Sequence, residues 1–435
     1  MAKIVPFRAW RYDATKVRLQ DVVTQPYDKI SPEMQERYYG ASPHNLVRII
    51  LGRPEPGDGE SENAYTRAAL NFQSWRENGI LQQDAEPSIY AYHQHFKVPG
   101  DPAGMRHRRS GFIALGRIHD YSEKVVFRHE QTLSKPKADR LNLLRATHGH
   151  FGQIFMLYAS PHDSFGSLAH PPTMQVQDEY GVEHRVWRIT EPHLIEKVRQ
   201  DLAAKPLLIA DGHHRYETAL AFRDEMRAQF PDAGPEAPWE YVMTTFVNME
   251  APGLVILPTH RVVHGLAGFQ LPELIGRASQ FFAVEDVTKR FHPDQPLDLL
   301  SDDAPHYTYR TTFLVIGGGK VHLLRAKPGA ADIALADVNA KERELDVVQL
   351  HKLLLESALG MSEDDIRSQR YLSYVREARE AVEAVRSGAA QAAFLMNPVR
   401  IDQMREIAFS GGVMPQKSTD FYPKLLSGLT IYALD

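Results

Sequence analysis

Apolar residues fall along the chain in short runs, separated by polar stretches rich in proline and glycine. That pattern predicts strands alternating with helices. A first short strand is expected over residues 4–10, and Ser31 ahead of Pro32 and Glu33 predicts a capped helix start. Residues 44–50 read as a strand. Residues 63–78 read as a helix with Tyr65, Ala69, Phe72 and Trp75 at helical spacing, closed by Gly79. Two long strands are expected over residues 88–98 and 109–118. In the first, His93 and His95 share a face and read as solvated; the basic cluster at residues 106–109 reads as the solvated start of the second.

Further on, residues 125–145 enter a helix at Pro136. Strands are expected over 153–158 and 184–189, the latter after a hairpin turn at Gly181, and an amphipathic helix over 191–205. Residues 207–210, Leu-Leu-Ile-Ala, predict a buried strand that turns at Asp211 and Gly212 into a helix carrying Ala219, Leu220 and Phe222. Strands follow over 239–248 and 253–257, and the composition shifts near Leu266. Residues 269–345 resemble a smaller α/β unit containing a hairpin about Gly317, Gly318 and Gly319. A helix with Val347, Leu350, Leu353 and Leu354 on one stripe ends at Gly360. Residues 373–387 read as a helix, 392–397 as a buried strand and 404–409 as helical. The fold class is α/β (mixed α+β). The expected regions are 1–120, 121–265 and 266–435, with the middle one a core between α/β N- and C-terminal regions.

A chain of 435 residues, 43% hydrophobic and 24% charged, has ample material for such a core. A net charge of −5 argues against a general nucleic-acid surface. Zero cysteines leave no disulfide framework, no zinc–thiolate site and no thiol nucleophile. The polar first residues and the lack of a long apolar run predict a cytoplasmic protein with no membrane partner. The oligomeric state stays open.

Candidate chemistry collects at four places. In the turn DGHHR, Asp211 to Arg215 follow a buried strand, and a helix start presents backbone N–H groups to which an anion can bind. Gly212 allows close approach of a ligand or a positive φ; the alternative is a plain capped connection with exposed histidines. In RHEQT, Glu130 sits between His129 and nearby Lys135 and Lys137, which can hold it ionised and ready to take a proton. The two lysines themselves read as a charged helix start. Pro26 and Pro32 bracket Tyr27, Asp28 and Ser31 in a shaped loop. Near the end, Lys417, Ser418, Thr419 and Lys424 lie in a proline-bounded loop that can offer cations and hydroxyls to a phosphate, or simply dock on the core. The stretch GGGK lacks the spaced glycine and hydroxyl of a phosphate loop. No H-E-x-x-H spacing occurs among the 20 histidines, so a histidine metallohydrolase is the weakest class.

DGHHRY resembles the second box of the ParB/sulfiredoxin-like superfamily and is closer still to its free-serine kinases, whose box contains DGHHR. The RHEQT pair resembles their His-Glu pair. From QPYD to MPQKSTDFYPKLLSG the chain is similar to domain-of-unknown-function family 1015. The resemblance implies a nucleotide-binding core and a phosphotransferase using ATP or ADP with magnesium on free serine or a similar hydroxy acid. In that picture Glu130 is the base, and Asp211 and His214 are catalytic, with Asp211 also the magnesium ligand. His129, Thr132, Gly212, His213, Arg215, Lys417, Ser418, Thr419, Lys424, Tyr27 and Asp28 would bind substrate or nucleotide. The alternatives it leaves are a non-catalytic nucleotide-binding switch, or a phosphatase of a metabolite such as phosphoserine. The insertion between the two boxes is longer than in those kinases.

Overall fold

The computed structural model describes residues 1–101, 103–130, 134–163, 165–303 and 311–435, with side chains described for all of these but 134–136 and 301–303. The chain divides into two compact units: residues 1–128, 132–254 and 423–435 form the first, and residues 129–131 and 255–422 the second.

Unit 1 is built on a sheet of nine strands: β1 (Ile4–Val5), β2 (Ile89–Lys97), β3 (Arg106–Arg117), β4 (Val126–Phe127), β5 (Ile154–Tyr158), β6 (Met174–Gln177), β7 (Glu183–Ile189), β8 (Leu207–Asp211) and β9 (Tyr241–Asn248). Their order is β4-β8-β5-β9-β3-β2-β7-β6, with β1 on β3. The pairs β4–β8 and β5–β9 are parallel and the others antiparallel, so the sheet is mixed, as the fold class anticipates. Strands from both sides of residue 120 interleave in it. Strands β5 and β8 read as unbroken apolar runs, and both are buried along their length up to Asp211. Leu207, Leu208, Ile209 and Ala210 of β8 are at most 4% exposed. Each large side chain among them contributes about 2 kcal/mol by leaving water. That burial fixes β8 and therefore the turn that follows it.

Helix α1 (Ser134–Thr147), α2 (Pro192–Ala203) and α3 (His213–Gln229) accompany the sheet. The N-cap expected at Ser31 is present, its hydroxyl accepting from the Met34 N–H at 3.2 Å. Two local expectations fail here. Residues 44–50 hold a short helix, Val47–Ile50, instead of a strand. Asn45 accepts from the Val47 N–H at 2.9 Å and starts the turn, and with Leu46, Val47, Ile49 and Ile50 all buried the run shows no helical stripe. The first strand is also two pieces, Ile4–Val5 pairing β3 and Trp10–Tyr12 pairing Leu81–Gln83.

Unit 2 carries β10 (Val255–Leu257) paired with β17 (Asp420–Tyr422), and a six-stranded sheet. Its members are β11 (His260–Val263), β12 (Phe282–Asp286), β13 (Thr312–Gly317), β14 (Lys320–Ala326), β15 (Leu372–Val375) and β16 (Ala392–Met396), in the order β12-β14-β13-β16-β11-β15. The glycine hairpin between β13 and β14 is as expected. Residues 373–387 divide into the strand β15 and a helix, Ala378–Arg386. Pairing with β11 captures Leu372–Val375, a tertiary contact that helical spacing does not register. Part of the helix expected near residue 350 is a π-helix, Leu350–Ala358.

Candidate functional site

Strand β8 ends on Asp211, one residue later than its apolar run. Gly212 then takes φ 91°, and α3 begins at His213. The positive φ calls for glycine here, and an added β-carbon would press on the Arg215 guanidinium at 3.1 Å. His213 is buried, and His214 and Arg215 are half-buried. Asp211 Oδ1 accepts from the Gly212 N–H at 2.7 Å, and Oδ2 accepts from Lys424 Nζ at 3.0 Å. Arg215 Nη2 lies 4.0 Å from Asp211, and its Nη1 donates to the Gln153 carbonyl at 2.5 Å. Burial acts to raise the Asp211 pKa, but the charges of Lys424, Arg215 and Lys29 outweigh it and hold the carboxyl well below the usual range. Asp211 is an anion in a ring of cations.

Arg109 adds to that ring. It is 1% exposed, donates to Gln94 and to the Pro423 carbonyl, stacks over Phe155 at 4.7 Å and feels the Asp211 charge. Burial pulls its pKa down to about 10. The expectation that residues 106–109 are all solvated fails for Arg109, because strand alternation turns it away from Arg106 and Arg108. Lys29 was also passed over, although it directly follows Tyr27 and Asp28. Tyr27 and Arg215 line one pocket with Arg140, His150, Thr218 and Ser427, enclosing about 70 Å³. Arg140 stacks over the Tyr27 ring at 4.1 Å. Thr218 Oγ1 is buried there with no hydrogen-bond partner among the described residues, as are both amide atoms of the neighbouring Gln153. Asp28 is exposed.

The other candidates belong to unit 2. Glu130 Oε1 accepts from the Lys417 N–H at 2.8 Å, and Lys417 reaches this geometry with φ 57°. The His129 ring meets Thr419 Oγ1 at 2.8 Å, and Ser418 donates to the Pro415 carbonyl at 2.5 Å. Arg261, 0% exposed, places Nη2 3.4 Å from the Lys417 carbonyl and also feels the Glu130 charge. The structure therefore brings together Asp211, Gly212, His213, His214, Arg215, Lys424 and Tyr27 in unit 1, and His129, Glu130, Lys417, Ser418 and Thr419 in unit 2. Thr132 lies outside the described residues.

Magnesium on Asp211 does not fit this arrangement. Both carboxylate oxygens are engaged, one by an ammonium group, and a divalent cation there would face the repulsion of the surrounding positive charges. Among the described residues no three His, Asp or Glu side chains gather as a metal-ligand set. His93, expected to be solvated with His95, is instead buried, with its Nε2 on the Phe165 carbonyl at 2.6 Å. No helix among the described residues is long and apolar enough to cross a membrane.

Fold and turn define a mixed α/β protein with a cationic strand-to-helix turn. The chain belongs to the DUF1015 family of proteins of unknown function, whose model matches residues 4–348. No curated protein matches the sequence. Among solved structures it is similar to a conserved hypothetical protein from Pyrococcus furiosus, at 12% identity over 70% of this chain and 91% of that one, with a TM-score of 0.34. It is also similar to a free serine kinase in complex with AMP, at 13% identity over 70% and 89%, with a TM-score of 0.33. A third is SbnI from Staphylococcus aureus with a C-terminal truncation, at 11% identity over 73% and 87%, with a TM-score of 0.36.

Proposed function

We propose that the protein is a phosphotransferase that moves a phosphoryl group from ATP or ADP to a small hydroxylated metabolite, free serine or a similar hydroxy acid. The observation that carries this reading is the gathering of positive charge at the turn: Lys424, Arg215, Lys29 and Arg109 all act on the carboxylate of Asp211, at the N-terminus of α3. Such a place is made for an anion with several oxygens.

In this reading Arg215, Lys424 and the start of α3 at His213 receive the phosphates, Gly212 lets them approach closely, and His214 donates to them. Asp211 orients the cations about the transferring group. The substrate oxygen attacks the terminal phosphorus, the bond to the bridging oxygen of the donor breaks, and Glu130 takes the hydroxyl proton. Lys417, through its N–H, aims the Glu130 carboxylate. Tyr27, Asp28, His129, Thr132, Ser418 and Thr419 contribute to the substrate and nucleotide surfaces. Magnesium, if it accompanies the nucleotide, would neutralise phosphate charge there, and Asp211 would not hold it. Residues 121–265 would supply the ParB/sulfiredoxin-like core that the DGHHR box implies.

The test is phosphorus NMR of the protein with ATP or ADP, magnesium and a panel of hydroxylated metabolites. A new phosphomonoester signal that depends on serine or a related hydroxy acid is expected. Release of inorganic phosphate from phosphoserine would reassign the direction. Unchanged spectra across the panel would leave phosphoryl transfer without support.

A further inference from the structure

Unit 1 holds a second concentration of positive charge, on the sheet face opposite the one Arg109 takes. In the β2–β3 ladder Lys97 pairs in register with Arg106, and His95 with Arg108. Directly opposed like charges destabilise a strand pair. Lys97, Arg106 and Arg108 are exposed, and none is ion-paired with a carboxylate among the described residues. The next strand, β7, sets Arg185 on the same face, opposite His93. The one carboxylate in this group is Glu183, which accepts from Arg185 at 2.9 Å and from Gln175. Four cations against one carboxylate stand out in a chain of net charge −5.

The face is also concave. His95, Lys97, Arg106, Gln175, Glu183 and Arg185 line a groove of about 490 Å³, a size that suits a small organic ligand. Tyr180, 54% exposed, stands at its rim in the turn between β6 and β7. Lys97 and Arg106 side by side suit two neighbouring phosphate groups, Gln175 and Gln177 carry amides able to read a base edge, and Tyr180 can stack on a ring.

We propose that this groove binds a nucleoside di- or triphosphate, at a site separate from the DGHHR turn. The site is independent of the reading given above for the turn. It would give the protein a nucleotide-responsive surface on the opposite side of the sheet.

The experiment is calorimetric titration with ADP and with pyrophosphate, on the full chain, for the parent, the Lys97→Ala/Arg106→Ala double variant, Arg215→Ala and Tyr180→Ala. Melting curves check that the exposed substitutions leave the fold intact. The double variant is expected to lose at least tenfold in affinity for both ligands at one site, which survives in Arg215→Ala. Tyr180→Ala is expected to weaken ADP and leave pyrophosphate unchanged. Parental binding of ADP and pyrophosphate by the double variant would overturn the proposal, whatever Arg215→Ala does. An unaltered ADP affinity in Tyr180→Ala would overturn the nucleoside part. A duplex oligonucleotide that binds through Lys97 and Arg106 and is not displaced by ADP would reassign the groove to nucleic acid.

Discussion

Replacing Asp211 by asparagine keeps the outline of the turn and removes the negative charge on which Lys424, Arg215, Lys29 and Arg109 act. A phosphate seated beside Lys424 and Arg215 would lie roughly 6 Å from that carboxylate, where two unit charges repel by about 3 kcal/mol at an effective dielectric of ~20. The Asp211 side chain is 25% exposed, so solvent screens part of this. About 1–2 kcal/mol remains, a five- to thirtyfold gain in affinity on removing the charge. Asp211→Asn should therefore bind pyrophosphate more tightly than the parent, with a steeper loss on adding salt. It should also be less stable, because the ion pair to Lys424, whose side chain is 10% exposed, is lost. Between exposed and fully buried pairs, that loss is about 1–3 kcal/mol. The assay is calorimetric pyrophosphate titration at two salt concentrations, beside a melting curve. A variant that melts earlier but binds pyrophosphate no more tightly than the parent would show that the ring of cations serves only to hold Asp211 in place.

Gly212→Ala forces a left-handed backbone and pushes against Arg215; a loss of about 1–2 kcal/mol is expected in chemical denaturation, with weaker pyrophosphate binding from the displaced guanidinium. Glu130→Gln should abolish phosphoryl transfer in the NMR assay while ADP affinity stays within about threefold of the parent, since the amide oxygen can still accept from the Lys417 N–H; full turnover in this variant would remove the base role. Asp346 has its pKa pushed up to about 6 by burial, against the opposing Thr311 hydrogen bond and Arg400 charge. Its folded form thus holds a proton more tightly than its unfolded form, so its contribution is most favourable below about pH 4 and declines as pH rises to about 6. Asp346→Asn should raise the melting temperature at pH 7.5, by up to about 2–3 kcal/mol of stability, and do little at pH 4; an equal effect at both would refute the shift.

The turn was legible because its signals are local. An apolar run too short for a helix, then Asp211, Gly212 and polar residues, can hardly be anything but a strand entering a helix, and the structure shows β8 and α3 there. Lys424 was also picked out, but as a residue of a C-terminal loop; its partner is 213 residues away, a contact no spacing rule reaches. Arg109 was misread because a run of four basic residues looks solvated as a block, while a strand sends alternate members to opposite faces. The same alternation, applied to residues 106–109, would have separated Arg106 and Arg108 from Arg109. Residues 44–50 and 373–387 failed for the reason that defeats local patterns generally. In the first a side chain of Asn45 nucleates a buried helical turn, and in the second a strand partner far along the chain recruits Leu372–Val375.

The interruption of unit 1 by residues 255–422 has a consequence for how the protein is made. Asp211 leaves the ribosome 213 residues ahead of Lys424. At ordinary elongation rates that interval is roughly 10–40 s, long compared with the collapse of a sheet. For that time the sheet can form around β8 while residues 423–435 do not yet exist. Lys424 and the Pro423 carbonyl that receives Arg109 therefore join after the sheet around β8, as does the strand Tyr432–Ala433 that pairs with Gly149–His150. The charge balance at the turn is thus set late in synthesis: a nascent chain that has not reached residue 424 displays DGHHR without the lysine that pairs with Asp211.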